Sequence, residues 1–241
     1  MRSLGIVVAR AASKRLPLKN LKPLREHPLV AWSLRAALAS RLDRVILSTE
    51  DERIAEVGRR YGSDIRYRRP ATLAEDFVGS EEIAEHALDW AEADEGRRYD
   101  VVTVLQPTTP FVLPATIDAC LEEVGKTECM SCITARACTE PPAWLFRRDE
   151  SGFAAPWLEG DVRGEREHSQ FLEKLYIPTG AVYASRVEVV RTQRTHIGRP
   201  LRFVLMERER AIDIDDEFDF VMAEALGRHH RFEITPLAGR R

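Results

Sequence analysis

Residues 4–20 read Leu4-Gly5-Ile6-Val7-Val8-Ala9 and then Arg10-Ala11-Ala12-Ser13-Lys14-Arg15-Leu16-Pro17-Leu18-Lys19-Asn20. Six apolar residues, rich in Val and Ile, give way at once to a basic stretch of small and polar ones. A short continuous apolar run of this kind is the mark of a strand buried on both faces, as in a parallel sheet covered by helices. In such sheets ligands bind beyond the carboxyl ends of the strands, which makes the loop from Arg10 to Asn20 the first place to look for chemistry.

Working outward, the same rhythm repeats. Strands are expected at Leu4 to Ala9, Arg44 to Ser48, Asp64 to Tyr67, Val101 to Leu105, Met130 to Ala135, Ala181 to Ala184 and Arg202 to Met206. Helix-period segments lie between them at Pro28 to Ser40, Asp51 to Tyr61, Ser80 to Ala93, Leu113 to Glu123 and Asp216 to Leu226. Alternation of this kind predicts an α/β fold: a Rossmann-like three-layer sandwich around a mainly parallel sheet. The rhythm breaks between residues 136 and 176, where Pro141, Pro142 and Pro156 interrupt a stretch still carrying Trp144, Phe146, Phe153, Trp157 and Phe171. Large apolar residues on an irregular excursion need a cover, and a second copy of the chain is a common one. The expected organisation is a domain over residues 1–227 with an inserted dimerisation region at 136–176, and a peripheral tail at 228–241.

Composition excludes several classes. The 241 residues carry 36 basic and 39 acidic side chains, a net charge of −3, with the two signs interspersed. That balance offers no general attraction to nucleic acid or to an anionic membrane. No apolar run approaches the roughly 18 residues of a membrane span, and Leu4 to Ala9 is too short for a secretory h-region, so a cytoplasmic protein is expected. Cys129 and Cys132 have a C-x-x-C spacing, but the segment Cys129 to Ala135 reads as a strand that would send them to opposite faces, so reduced, packed thiols are expected for these and for Cys120 and Cys138. His27, His86, His168, His196, His229 and His230 make no metal-ligand spacing.

The chain has only five lysines, and Lys14, Lys19 and Lys22 fall in or just after the first loop. Compact ammonium groups, together with backbone N–H groups left accessible by Ala11, Ala12 and Ser13, form a cradle for a polyphosphate; the same residues also suit a solvated surface loop. The stretch is neither a G-x-x-x-x-G-K-[ST] P-loop nor a G-x-G-x-x-G fingerprint. Asp213 and Asp215 flank one residue, which in an extended segment puts both carboxylates on one side for a hard divalent ion; a turn and helix cap before Asp216 is the other reading.

The motif A-R-x-x-S-K-x-x-x-x-K-N after a first strand resembles the signature of the acylneuraminate cytidylyltransferases. The resemblance continues in order through Ser48-Thr49-Glu50-Asp51 with Ile54-Ala55, Arg69-Pro70-Ala71 with Leu73-Ala74 and Asp76, Leu105-Gln106-Pro107-Thr108-Thr109-Pro110, and Ile212-Asp213-Ile214-Asp215 with Asp219 and Phe220. It runs from about Leu4 to Leu226, with the insertion poorly matched, and several motifs agreeing in order outweigh any one of them. It implies a nucleotidyltransferase that joins CMP from CTP to the anomeric hydroxyl of a nine-carbon 2-keto sugar acid with loss of pyrophosphate, uses Mg²⁺, and forms homodimers. By the same resemblance Arg10, Ala11, Ser13, Lys14 and Lys19 hold the triphosphate. Asn20, Arg69 and Ser80 read the cytidine, Asp213 and Asp215 hold the metal, and Arg10, Lys19 and Asp213 are catalytic. Gln106, Thr108 and Thr179 meet the sugar, although Thr108 and Thr109 also suit a turn around Pro107 and Pro110.

The acceptor side departs from the sialic acid pattern. Val112 and Ile177 stand where arginines are usual, and Thr179 replaces the asparagine of an N-G-A-[IV]-Y motif. Pro110-Phe111 and Asp76-Phe77 resemble the pseudaminic acid branch, whereas Gln106-Pro107-Thr108 and Gly180-Ala181-Val182-Tyr183 are closer to the sialic and legionaminic branches. A deoxy-octulosonate cytidylyltransferase and a silent nucleotide-sugar binding protein are the competing expectations.

Overall fold

The structure, a computed structural model, describes residues 1–126, 128–158 and 172–236. The strands are β1 (Ser3–Val8), β2 (Pro23–Leu24), β3 (His27–Pro28), β4 (Arg44–Ser48), β5 (Val101–Leu105), β6 (Ser131–Ala137), β7 (Phe146–Arg148), β8 (Ala154–Pro156), β9 (Tyr176–Arg186) and β10 (Leu201–Leu205). The α-helices are α1 (Leu29–Leu38), α2 (Glu52–Arg60), α3 (Ser80–Glu95), α4 (Pro114–Gly125) and α5 (Glu217–His229). Six strands form one sheet in the order β10-β6-β9-β5-β1-β4. β1 is parallel to both β4 and β5, β10 is parallel to β6, and β9 runs antiparallel to β5.

Side-chain alternation along the central strands explains the three layers. Leu4 and Ile6 of β1, Ile46 of β4 and Val102 and Val104 of β5 pack with Ala84, Ala87, Leu88 and Ala91 of α3 on one face. Val7, Val45, Leu47 and Leu105 point the other way, into a core shared with α1, α2 and α4. Each central strand is therefore mostly apolar on both faces, with Ser3, Arg44, Ser48 and Thr103 as the buried polar exceptions, and its two sets of side chains remove area from water on opposite faces at about 25 cal/mol per Å². The Asp51 side chain caps α2 by accepting from the N–H groups of Arg53 and Ile54 at 2.8 and 3.3 Å.

The chain divides into two compact units, Met1–Ala135 with Pro178–Arg241, and Arg136–Ile177. The smaller unit contains the β7–β8 hairpin and exposes Phe146, Phe153 and Trp157; Phe171 lies outside the described residues.

Three expectations need correction. Asp64 to Tyr67 is not a strand: it makes a single bridge, Ile46 with Asp64, because the Asp64 carboxylate accepts from the Arg66 backbone N–H at 3.0 Å and turns the chain there. Cys129 precedes β6 in a turn closed by its N–H to the Lys126 carbonyl, so the opposite-face argument does not apply; Cys120, Cys129, Cys132 and Cys138 are nonetheless all free thiols. The tail after residue 227 is not peripheral as far as it is described. Helix α5 continues to His229, Phe232 is buried with its ring 4.8 Å from that of Phe111, and Arg35 Nε donates to the Thr235 carbonyl at 2.9 Å. Among the described residues no helix is long and apolar enough to cross a membrane.

Candidate active site

The loop after β1 turns back into the protein at Leu18, which adopts φ 54°, and a single 3-10 turn at Lys19–Leu21 then carries Lys19 and Asn20 inward until both are buried. Ala11 and Ala12 are not among the positive-φ residues, so alanine is unstrained there. Asn20 Nδ2 donates to the Arg10 carbonyl at 2.9 Å and fixes the loop across its own base. Lys19 Nζ donates to the Ile214 carbonyl at 2.6 Å and stands 3.6 Å from Asp215. Burial lowers the Lys19 pKa below the ordinary 10.5, with Asp215 and Asp213 opposing that shift.

The segment between α2 and α3 supplies the second wall. Arg69, its side chain fully out of solvent, donates through Nη2 to the Ala9 carbonyl at 3.0 Å and to Glu50. Among the described residues its Nε and Nη1 have no partner, and neither does Asn20 Oδ1. Asp76, beyond the turn Ala71–Ala74, pairs with Arg10 at 3.0 Å and Lys14 at 2.5 Å, and these two cations hold its carboxyl below the usual aspartate value.

The third wall comes from the ends of β5 and of the segment before α5. Ile214 is buried among Leu24, Leu29, Phe111 and Phe220, and its N–H donates to the Thr108 carbonyl at 2.8 Å. With Ile214 inward, its neighbours Asp213 and Asp215 turn outward. The capping duty falls instead on Asp216 and Asp219, which form a reciprocal capping box at the start of α5. Asp215 pairs with Arg15 at 2.8 Å. Asp213 is exposed as a residue, yet its carboxylate stands in a crowded setting. Desolvation, with Asp215 and Asp219 adding to it, raises its pKa, while a Thr108 hydrogen bond and Lys19 oppose the shift. Among the described residues no group of three or more His, Cys, Asp or Glu forms a cage for a metal. Two carboxylates, offering only hard oxygens, suit an ion that completes its shell with water and phosphate.

A cleft of about 490 Å³ joins these walls. Of the residues expected from the sequence, it is lined by Arg10, Ser13, Lys14, Lys19, Asn20, Arg69, Ser80, Gln106, Thr108 and Asp215. Three others do not line it. The Ala11 N–H, expected to face phosphate, is taken by Glu50 Oε1 at 2.8 Å. Asp213 stands beside the cleft, touching it through Thr108. Thr179, expected to meet the sugar, is buried within the sheet: its hydroxyl donates to Thr134 Oγ1 at 2.7 Å and its carbonyl accepts from Thr109 Oγ1 at 2.6 Å. Val112 lies in the hydrophobic core and does not line the cleft. Gly180 at φ 79° lets the backbone pass close to Gln106, since a Cβ there would stand 2.9 Å from Gln106 Oε1. Sequence reasoning left Glu50, Arg15 and Asp76 without roles. The acidic positions inside the matched motifs were the available signal for Glu50 and Asp76.

A cation-lined cleft at the carboxyl ends of a mainly parallel sheet, with Asn20 and Arg69 at its buried end, defines a nucleotide-handling α/β enzyme. The chain belongs to the cytidylyltransferase family, whose model matches residues 4–193. It is similar to the CMP-N,N'-diacetyllegionaminic acid synthase of Legionella pneumophila, 29% identical over 94% of this chain and 96% of that one. It is also similar to the N-acylneuraminate cytidylyltransferase of Escherichia coli, 29% identical over 91% of this chain and 51% of that one. The pseudaminic acid cytidylyltransferase of Campylobacter jejuni is 28% identical over 94% and 96%. Among solved structures, a CMP:2-keto-3-deoxy-manno-octonic acid synthetase complexed with CTP shares the fold with a TM-score of 0.67 and 14% identity, over 95% of this chain and 100% of that one.

Proposed function

We propose that this cytidylyltransferase moves CMP from CTP to the anomeric hydroxyl of a nine-carbon 2-keto sugar acid of the sialic, legionaminic or pseudaminic type, releasing pyrophosphate. The observation that carries the reading is the pairing of two features in one cleft: the buried, partnerless Asn20 Oδ1 and Arg69 Nε and Nη1, and the cations Arg10, Lys14 and Lys19. Among the described residues, Asn20 and Arg69 are the cleft residues with buried polar side-chain atoms lacking a partner. Such atoms cost about 1–3 kcal/mol each when unmet, which a matching base would relieve. The Asn20 carbonyl oxygen accepts from a cytosine amino group, Arg69 donates to its ring acceptors, and Ser80 assists at the same wall.

With the base there, the triphosphate extends along Arg10, Ser13, Lys14 and Lys19. Asp76 holds Arg10 and Lys14 in the free protein, so these cations exchange a carboxylate for phosphate oxygens on binding. Arg10 and Lys19 then face the charge that develops at the α-phosphate and on departing pyrophosphate, where fixed cations accelerate in-line displacement. Gln106 and Thr108 orient the acceptor hydroxyl. The carboxylates Asp213 and Asp215 suit Mg²⁺, which when bound supplies positive charge to phosphate oxygens and acidifies the attacking hydroxyl.

The experiment is magnesium-dependent pyrophosphate release from CTP with N-acetylneuraminate, legionaminate, pseudaminate and deoxy-octulosonate, with ATP, GTP and UTP as donor controls. Release with CTP and one of the three nine-carbon acids is expected. Turnover only with deoxy-octulosonate, or CTP binding without any release, overturns the reading.

The proposal includes a homodimer formed through the unit Arg136–Ile177, supported by the exposure of Phe146, Phe153 and Trp157. A mass of twice 27.4 kDa is expected by light scattering; a monomer at working concentration removes it. Free, mostly buried cysteines accord with a reducing, cytoplasmic setting.

A further inference from the structure

Arg69 presents a physical problem that a base-reading role does not solve. A guanidinium whose side chain is fully buried must be neutralised, because an unpaired charge in the interior costs several kcal/mol. A naked cation in the base pocket would also attract the triphosphate, which carries several negative charges, in preference to a neutral base. Glu50 stands at the point that resolves both. Its Oε2 pairs with Arg69 Nη2, and its Oε1 accepts the Ala11 N–H at 2.8 Å. One carboxylate thus ties the buried arginine to the backbone of the loop that carries Arg10, Ser13 and Lys14. Nη2 is saturated by Glu50 and the Ala9 carbonyl at 3.0 Å, which leaves Nε and Nη1 as the nitrogens free for a ligand.

We propose that Glu50 is a positioning residue for base recognition: it cancels the Arg69 charge, fixes which nitrogens Arg69 offers, and so makes the buried end of the cleft select a neutral base over phosphate. The inference rests on Arg69 reading cytosine, as argued above. Glu50 does not line the cleft and acts through Arg69.

Glutamine at position 50 separates this role from a structural one. Its one amide oxygen can still accept the Ala11 N–H and hold the loop, whereas the group then facing Arg69 Nη2 is an uncharged NH2 that cannot accept. Binding of CTP, UTP and inorganic pyrophosphate is measured by calorimetry on folded wild type, Glu50→Gln and Glu50→Asp. Glu50→Gln is expected to weaken CTP about tenfold, in line with loss of a charge-assisted hydrogen bond, and to narrow the CTP preference over UTP, with pyrophosphate bound at least as tightly as by wild type because the Arg69 charge is no longer cancelled. Glu50→Asp keeps the charge on a shorter stem and is expected to show the same pattern at about threefold. CTP affinity like wild type, or CTP and pyrophosphate weakened alike, overturns the inference; if Glu50→Gln does not fold, Glu50→Asp is read by the same criterion. Arg69→Lys is the control on the underlying reading. If it leaves CTP affinity and preference intact, Arg69 does not read the base, and the failure lies there rather than at Glu50.

Discussion

Alanine at position 19 is expected to lower kcat by roughly 10²–10³-fold, the loss typical when one preorganised donor to a developing negative charge is removed, with a smaller rise in the KM for CTP. Three features single out this lysine among the cations of the first loop. It is buried where Lys14 and Arg15 are exposed, so its charge acts in a medium that screens it less. Its ammonium already spans to the segment that carries Asp213 and Asp215, donating to the Ile214 carbonyl at 2.6 Å. And it follows Leu18 in a left-handed conformation, a local cost of about 1–2 kcal/mol that the fold sustains in placing it there. Arginine is not a conservative replacement, since a planar five-donor group does not fit a site built around one carbonyl.

The depressed Lys19 pKa gives the same residue a pH signature of opposite signs. As pH rises through the folded value the ammonium is lost, and kcat/KM should fall on an alkaline limb below the 10.5 of an ordinary lysine. Between the folded value and 10.5 the unfolded chain binds the extra proton, so folding stability should rise with pH over that window. Lys19→Ala should remove both effects. A variant that keeps turnover within about tenfold of wild type, where loss of a transition-state donor costs at least 10²-fold, would take Lys19 out of the transition state.

How far the sequence was legible follows from where each residue's partners lie. β1, β4 and β5 were readable almost to the residue because strands buried on both faces carry near-continuous apolar runs and end in polar loops. The two-residue strands β2 and β3 were not, since they are too short to show a period. Most of the cleft was legible because its cations and carboxylates sit in compact motifs. Thr179 was misplaced because its fate is set by Thr134, 45 residues earlier on a neighbouring strand, which gives its hydroxyl a partner inside the sheet. Ala11 was misread for a related reason. A backbone N–H after a strand looks free for phosphate until Glu50, 39 residues on, is seen to occupy it.

The carboxylate pair supports a second large effect, in which the two aspartates separate by the sign of their influence on stability. Asp213→Asn and Asp215→Ala should each reduce turnover by at least about 10²-fold if both hold the ion that stabilises phosphate charge. Their melting temperatures should move differently. Asp213 has its folded pKa raised by desolvation and by Asp215, so the folded state binds more protons between 3.8 and the folded value, and stability falls as pH rises through that window. At neutral pH the charged Asp213 is therefore a burden on the metal-free fold, and the neutral isostere should melt at or above wild type. Asp215 instead holds Arg15 at 2.8 Å and Lys19 at 3.6 Å, so its removal should lower the melting temperature: the exposed Arg15 pair contributes about 0–1 kcal/mol, and the buried Lys19 loses a charge partner as well. Added magnesium should raise the wild-type melting temperature by mass action and leave both variants unmoved. An Asp213→Asn protein that melts lower yet turns over normally would make Asp213 a structural residue. Equal stabilisation of all three proteins by magnesium would place the ion elsewhere. A carboxylate that weakens the empty protein and is required by the loaded one is the expected signature of a site held ready for a cation.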